Sequence, residues 1–266
     1  MRDQASKAEA FRALHTGEPF VMPNPWDAGS ARVFAALGFR ALASSSSAHA
    51  FTLGRLDGGV TLDEVVTHAA TLDRATDLPV SVDLENGFGA TPAAAALAIS
   101  RVAEAGAVGS SIEDFDPAGH LYEPAHAAER IAAAAEAAHG LGFPFTLTAR
   151  AENHIRVDVP DLDDTIARLR TYEAAGADVL YAPGLDTVEQ IRAVCDAVTR
   201  PVNVLALPGL SVADITGAGA QRISVGGGLA WVGVEAVAAA AVALRDNGDL
   251  EAMAADPPLD EWFAGN

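Results

Sequence analysis

The stretch Val80-Ser-Val-Asp-Leu-Glu-Asn-Gly-Phe-Gly (80–89), Ala90-Thr-Pro-Ala-Ala-Ala-Ala-Leu-Ala-Ile-Ser-Arg-Val-Ala-Glu-Ala-Gly-Ala (90–107) and Val108-Gly-Ser-Ser-Ile-Glu-Asp (108–114) decides the fold. Val80–Leu84 and Gly109–Glu113 read as strands, and Pro92–Ala105 between them carries helical periodicity. Gly106 suits the left-handed residue that closes a helix. Strand, helix and strand at this spacing make a parallel crossover unit, and both strands end in carboxylates.

The same unit recurs in both directions. Further strands are expected at Pro19–Met22, Ala41–Ser44, Phe145–Ala149, Val179–Ala182, Val202–Ala206 and Arg222–Val225. Helical segments are expected at Asp63–Thr76, Ala125–His139, Asp161–Ala175 and Val188–Val198. Several strands are apolar throughout, as in a parallel sheet buried on both faces. Pro79, Pro144 and Pro201 stand at strand entrances, where a missing N–H does least harm. Eight units in 266 residues predict one (β/α)8 barrel domain, 1–266, with the barrel over about 18–245 and a C-terminal extension at 246–266. A doubly wound sheet is the runner-up, but its glycine-rich fingerprint is missing.

Composition narrows the function. The net charge of −19 repels a phosphate backbone, so nucleic acid is not expected as a partner. No apolar run reaches the roughly 20 residues of a membrane span; Val232–Leu244 reads as too short and contains Glu235. No membrane association is expected, and the cytoplasm is the expected location. The single cysteine, Cys195, reads as a buried thiol on a helix.

Active sites of such barrels lie at strand C-termini. The third strand brings Asp83 and Glu85 there, two apart and on one face if the strand continues. The fourth brings Glu113 and Asp114, and the fifth Arg150 and Glu152. The second ends in Ser44 to Ser47, with Asp57 in its loop. Carboxylates converging from consecutive strands repel one another unless a cation lies between them, and magnesium or manganese favours oxygen ligands. The bland alternative is solvated loop acids, which weighs most for Asp114 and Glu152. Arg150 suits two-point recognition of a substrate anion, or serves only as a structural counter-ion.

At these residues the chain resembles the isocitrate lyase/phosphoenolpyruvate mutase superfamily, from about Phe20 to Leu244. The strings are Asn24-Pro-Trp-Asp-Ala-Gly-Ser-Ala, Asp83-Leu-Glu-Asn-Gly-Phe-Gly, Ser111-Ile-Glu-Asp, Ala149-Arg-Ala-Glu and Gly176-Ala-Asp. The resemblance implies a Mg2+-dependent enzyme (Mn2+ as an alternative), a lyase on a small α-keto or 2-hydroxy acid. It would break or rearrange a C–C or P–C bond through a metal-stabilised enolate. Phosphonomutase, decarboxylase and C–P hydrolase chemistries remain open. By position it implies Asp83, Glu85 and Glu113 as metal ligands, with Asp57 supporting the metal's water shell. Ser45, Ser46, Ser47 and Arg150 would bind substrate.

The departures are in the reaction-defining half. The family's lyase loop carries a lysine and a catalytic cysteine, where this chain reads Phe115-Asp-Pro-Ala-Gly-His-Leu-Tyr. The acid/base is therefore open among His49, His120 and Glu152. His120 is favoured because it lies in the presumed gating loop, beside the reading of a plain exposed histidine. The competing reading is a homologue that binds an α-keto acid without efficient catalysis. Lys7 precedes the barrel, which disfavours a Schiff base. The apolar stretch Leu229–Leu244 predicts a homodimer or homotetramer, and the resemblance implies that this last helix is exchanged between subunits.

Overall fold

Apolar strands alternating with amphipathic helices must bury their sheet on both sides, and the chain does so by curling the sheet nearly closed. The computed structural model describes residues 2–264, so Met1 and the last two residues of the expected extension lie outside the described residues. The barrel strands are β1 (Phe20–Met22), β2 (Leu42–Ala43), β3 (Val80–Asp83), β4 (Gly109–Glu113), β5 (Thr146–Arg150), β6 (Val179–Tyr181), β7 (Val202–Leu205) and β8 (Arg222–Ser224). They pair in parallel in the order β1-β8-β7-β6-β5-β4-β3-β2. Between β1 and β2 the gap is bridged just above the strands, where Ala43 N donates to Pro23 O at 3.1 Å. This is the (β/α)8 barrel that the sequence predicts.

The helices are α1 (Gln4–Leu14), α2 (Ala28–Ala36), α3 (Ser46–Thr52), α4 (Leu62–Ala75), α5 (Pro92–Glu104), α6 (Pro124–His139), α7 (Asn153–Arg156), α8 (Leu162–Ala174), α9 (Val188–Ala197), α10 (Val212–Gly217), α11 (Gly228–Asn247) and α12 (Leu259–Phe263). Local chemistry sets their ends. Thr91 accepts from Ala94 N ahead of α5, whose first residue is Pro92. Gly106 and Gly176 take φ of 104° and 105°, the left-handed conformation expected of them.

Helix α1 stoppers the N-terminal mouth. Phe11 is fully buried and reaches Gly109, where an added Cβ would stand 2.8 Å from its ring and 2.9 Å from Thr146 O. Only glycine allows that approach. The chain's one lysine, Lys7, is buried on the inner side of α1, ion-paired to Asp73 at 2.7 Å and bonded to Thr76 O at 2.9 Å, so it stands at the N-terminal end of the barrel, away from the C-terminal rim. With the bottom closed, function is left to the other rim.

Two expectations need correction. The apolar C-terminal helix is longer than its most hydrophobic stretch. It runs for 20 residues through Glu235, which points outward, and is long and apolar enough to cross a membrane by length and composition. Ala230 is its one buried residue, while Val232, Val237 and Val242 are exposed. The second correction concerns β3. The strand stops at Asp83 and Glu85 takes a left-handed φ of 48°, so the two acids do not share a strand face.

Candidate active site at the barrel rim

Two adjoining cavities open at the C-terminal ends of the strands. One, of about 190 Å3, is lined by Ser44 to Ser47, Asp83 and Arg222. The other, of about 310 Å3, is lined by Glu85, Asn86, Glu113, Phe115 and Arg156. Ser46, Asp57 and Arg150 face both. A larger cavity of about 680 Å3 lies at the opposite end of the barrel around His15, Thr146 and Pro201. None of the rim acids reaches it, and size alone does not make it the reactive one.

Asp83 is the best-held acid. Its Oδ1 accepts from Ser111 Oγ and from Glu85 N, both at 3.2 Å, and its Oδ2 accepts from Ser46 N at 3.3 Å. Its own N–H donates to Ser44 Oγ at 2.9 Å. The serine run therefore locks the end of β3 to that of β2. Ser45 caps α3 and its Oγ lies 3.1 Å from that of Ser47. Asn24, in the first motif string, ties the same corner together. Its Nδ2 donates to Ser44 O and its Oδ1 accepts from Val225 N, each at 2.9 Å.

Arg150 sits among the acids. It is ion-paired to Glu152, with Glu113 at 3.4 Å and Asp83 at 3.9 Å, and its guanidinium lies 5.3 Å from the Tyr181 ring centre. Burial works against its charge, but Glu152, Glu113 and Asp83 outweigh it and hold its pKa well above the ordinary value. Burial pushes Glu113 well above the ordinary carboxylate range despite Arg150. Glu85 is raised to about 7 by burial, then by Asp83 and Asp57. Its Oε1 is buried without any hydrogen-bond partner.

Taken as a donor set, these carboxylates suit a hard divalent cation. Among the described residues, however, no three His, Cys, Asp or Glu side chains are gathered closely enough to hold a metal on their own. Arg150 stands between Asp83 and Glu113, and Asp57 is exposed on its loop. The arrangement therefore fits magnesium held directly by one or two carboxylates and otherwise by water, its usual habit in proteins. A divalent cation there would meet the orphaned Glu85 oxygen and offset the burial that raises Glu85 and Glu113.

The other candidates are dispersed. His120 lies exposed on a small antiparallel hairpin, Phe115–Asp116 with His120–Leu121, and lines neither cavity. His49 is buried behind the serine loop, stacked on His68 with ring centres 4.1 Å apart. Glu152 is fully buried and also pairs with Arg156 at 2.9 Å. Asp114 is no solvated loop acid. It accepts from Arg168 at 3.0 Å, from the Tyr172 hydroxyl at 2.5 Å and from Glu152 N at 2.7 Å, and so anchors the start of the loop after β4.

Sequence reasoning passes over Arg156 and Arg222, which both face the cavities. Arg156 lies on α7 with its guanidinium 4.3 Å from the Phe115 ring centre. Arg222 and Ser224 flank the apolar Ile223 on β8. That alternation is the signal that marks both as pointing into the barrel.

The model for phosphoenolpyruvate phosphomutase matches residues 11–245. An oxaloacetate decarboxylase from Bradyrhizobium sp. is 32% identical over 227 residues, covering 83% of this chain and 77% of that protein. A 2-methylisocitrate lyase from Halalkalibacterium halodurans is 31% identical over 254 residues, covering 92% and 79%. A crystal structure from Burkholderia cenocepacia J2315, provisionally assigned as a lyase/mutase, superposes with a TM-score of 0.94 at 50% identity, covering 98% of this chain and 96% of that one. With its barrel and acidic rim, the chain belongs to the phosphoenolpyruvate phosphomutase family, within the isocitrate lyase/phosphoenolpyruvate mutase superfamily.

Proposed function

We propose that the protein is a magnesium-dependent enzyme, manganese being the alternative ion, that cleaves a C–C bond beside the keto group of a small 2-oxo acid. The observation that carries this reading is the set Asp83, Glu85 and Glu113 around two adjoining cavities, with Arg150 between them. Asp83 and Glu113 would be the direct ligands, with Glu85 and Asp57 reaching the ion through water. Once bound, the ion would supply Lewis-acid stabilisation of negative charge developing on the keto oxygen.

The chain's own groups do the rest. Arg150 is held by three carboxylates, so its fork is already oriented when an anionic substrate arrives. The serine run adds the hydroxyls of Ser45, Ser46 and Ser47 to the lining of the same cavity. Arg156, stacked on Phe115, adds a second cation to the wall of the outer cavity.

The two cavities contain neither lysine nor cysteine. That absence favours decarboxylation of a 2-oxo dicarboxylate over cleavage that needs a dedicated proton donor on the leaving group. The C3–C4 bond breaks, carbon dioxide leaves, and its electron pair passes to the C2–C3 enolate, which takes a proton to give pyruvate. The oxaloacetate decarboxylases among the relatives support this choice.

The exposed face of α11 belongs to the same reading. Leu229, Val232, Val237, Val242 and Leu244, open to solvent around this 20-residue helix, are more apolar surface than a lone barrel needs. We place a second copy of the chain on it, giving a homodimer or homotetramer in which this helix is exchanged. Sedimentation would show the assembly, and Val237→Glu would weaken it.

A substrate panel tests the activity. Oxaloacetate, 2-methylisocitrate and phosphonopyruvate are followed by pyruvate formation, and isocitrate by glyoxylate formation, with magnesium or with a chelator. Magnesium-dependent turnover of one compound is expected, oxaloacetate first. Binding of these acids without any turnover would instead make the protein a 2-oxo-acid-binding homologue.

A further inference from the structure

Arg222 is 3% exposed, inside the barrel, and among the described residues no carboxylate stands within ion-pair distance of it. Its three bonds all go to neutral acceptors. Nε donates to Asn203 Oδ1 at 2.8 Å, and Nη2 donates to Thr148 Oγ1 at 2.9 Å. Nη1 lies 3.2 Å from His15 Nε2. The tautomer of His15 follows from its other nitrogen, which faces the carbonyl of Phe11 at 2.9 Å and must be the donor there. His15 Nε2 is therefore an acceptor, and the imidazole is neutral. Burial and the neighbouring Arg222 both keep it so, pulling its pKa down to about 3.

A guanidinium carries five N–H donors. These three bonds use three of them and leave two, on a group that lines the smaller rim cavity beside Ser224 and Asn203. A cation buried without a counter-charge is among the costliest groups a fold can hold, and it is retained where an anion completes it. Arg150, the other cation of this cavity, already shares its charge with Glu152, Glu113 and Asp83. The uncommitted positive charge of the site is thus at Arg222, on the side away from Glu85 and Glu113.

We propose that Arg222 binds the second carboxylate of the substrate and so selects 2-oxo dicarboxylates over 2-oxo monocarboxylates. This rests on the 2-oxo dicarboxylate reading given above and adds the residue that recognises the second carboxylate. Two spare N–H groups on a planar fork match the two oxygens of a carboxylate. Asn203 and His15 act as positioning residues, since they hold the guanidinium from the neighbouring strand β7 and from the end of α1. The acidic cavity would then take the keto end of the substrate, and the Arg222 cavity its far end.

The test compares 3,3-difluorooxaloacetate, a dicarboxylate that cannot enolise at C3, with pyruvate. Calorimetry in magnesium gives the affinity of each for the wild type, Arg222→Met and Arg222→Gln. The wild type is expected to prefer the dicarboxylate by at least tenfold. In both variants that preference should vanish while pyruvate binds as before, and the melting temperature should hold or rise because a buried charge has gone. A preference retained in either variant, or an equal loss for both acids, overturns the proposal. Should neither variant fold, a crystal of the wild type with difluorooxaloacetate decides: a ligand oxygen within hydrogen-bond distance of an Arg222 Nη supports it, and Arg222 bonded to protein alone overturns it. A wild type that binds neither acid overturns the functional reading as well.

Discussion

Glu113 and Arg150 are register partners across β4 and β5, and their side chains meet again at the rim with Oε2 3.4 Å from Nη1. The sheet itself therefore aims the arginine between the acids. Lysine at position 150 would keep the charge but lose the planar fork that meets Glu152, Glu113 and a substrate anion together. Arg150→Lys is expected to lower kcat/KM about 100-fold, close to 2.7 kcal/mol of transition-state stabilisation. Steady-state kinetics on the substrate found in the panel measures it. Wild-type activity in the lysine variant would mean that charge alone matters there.

Glu85 gives a pH signature without substrate. Its pKa is raised from the ordinary 4.5 to about 7 in the folded, metal-free protein. A raised carboxylate contributes stability that is full below 4.5 and is lost as pH climbs through 7. After allowance for its partial exposure, the loss should be on the order of 1 kcal/mol. Glu85→Gln should flatten that part of the stability profile in urea titrations at pH 4.5 and 8. Magnesium should reverse the loss in the wild type, because a cation favours the carboxylate.

The stacked imidazoles behave in the opposite sense. His68 is lowered from 6.5 to about 3 by burial and by neighbouring His49, with Asp27 opposing. Its neutral form belongs to the fold, so that stability is full above pH 6.5 and drains away as pH falls toward 3. By pH 4.5 the loss should be roughly 2–3 kcal/mol. His68→Leu should remove most of that acid sensitivity, seen as a shallower fall in melting temperature between pH 7 and 4.5. An unchanged slope would place the acid sensitivity elsewhere, His15 being the next group to examine.

Asp114 should matter for folding more than for chemistry. It is 2% exposed and accepts from Arg168, Tyr172 and the Glu152 amide at once. Asp114→Ala leaves Arg168 paired to Asp164 but strips a partner from Arg168 Nη1, the Tyr172 hydroxyl and the Glu152 N–H, which together should cost about 3 kcal/mol. Tyr172→Phe removes one hydrogen bond and should cost about 1 kcal/mol. Chemical denaturation of the two variants would separate these values.

How far the sequence carries can be judged residue by residue. Strands β1 to β8 fall within a residue or two of the expected runs, because a strand buried on both faces leaves an apolar signature with sharp proline and glycine borders. Gly106 and Gly176 mark helix ends for the same local reason. What local pattern cannot show is contact across the barrel. Spacing puts Glu85 on the face of Asp83 only if β3 continues, but the turn at residues 85–88 has left-handed geometry at Glu85, Gly87 and Phe88, two of which are not glycine. In sequence Asp114 is one more acid of an acidic chain, because Arg168 and Tyr172, which bond it, lie over 50 residues away. His120 has a loop position in the sequence, and only the hairpin shows that it faces solvent. Arg222 could have been noticed by alternation with Ser224, yet its lack of a counter-ion is visible only in three dimensions.

The central claim is that a divalent cation and a 2-oxo acid occupy this rim together. The most direct measurement is the affinity of difluorooxaloacetate for the wild-type protein, by calorimetry, with saturating magnesium and again with the chelator in its place. The account predicts binding with magnesium and at least a 100-fold loss without it, and the same loss in Asp83→Asn with magnesium present. Equal affinity in the two conditions would contradict it, because the acids at 83, 85 and 113 would then have no cation to share with the ligand.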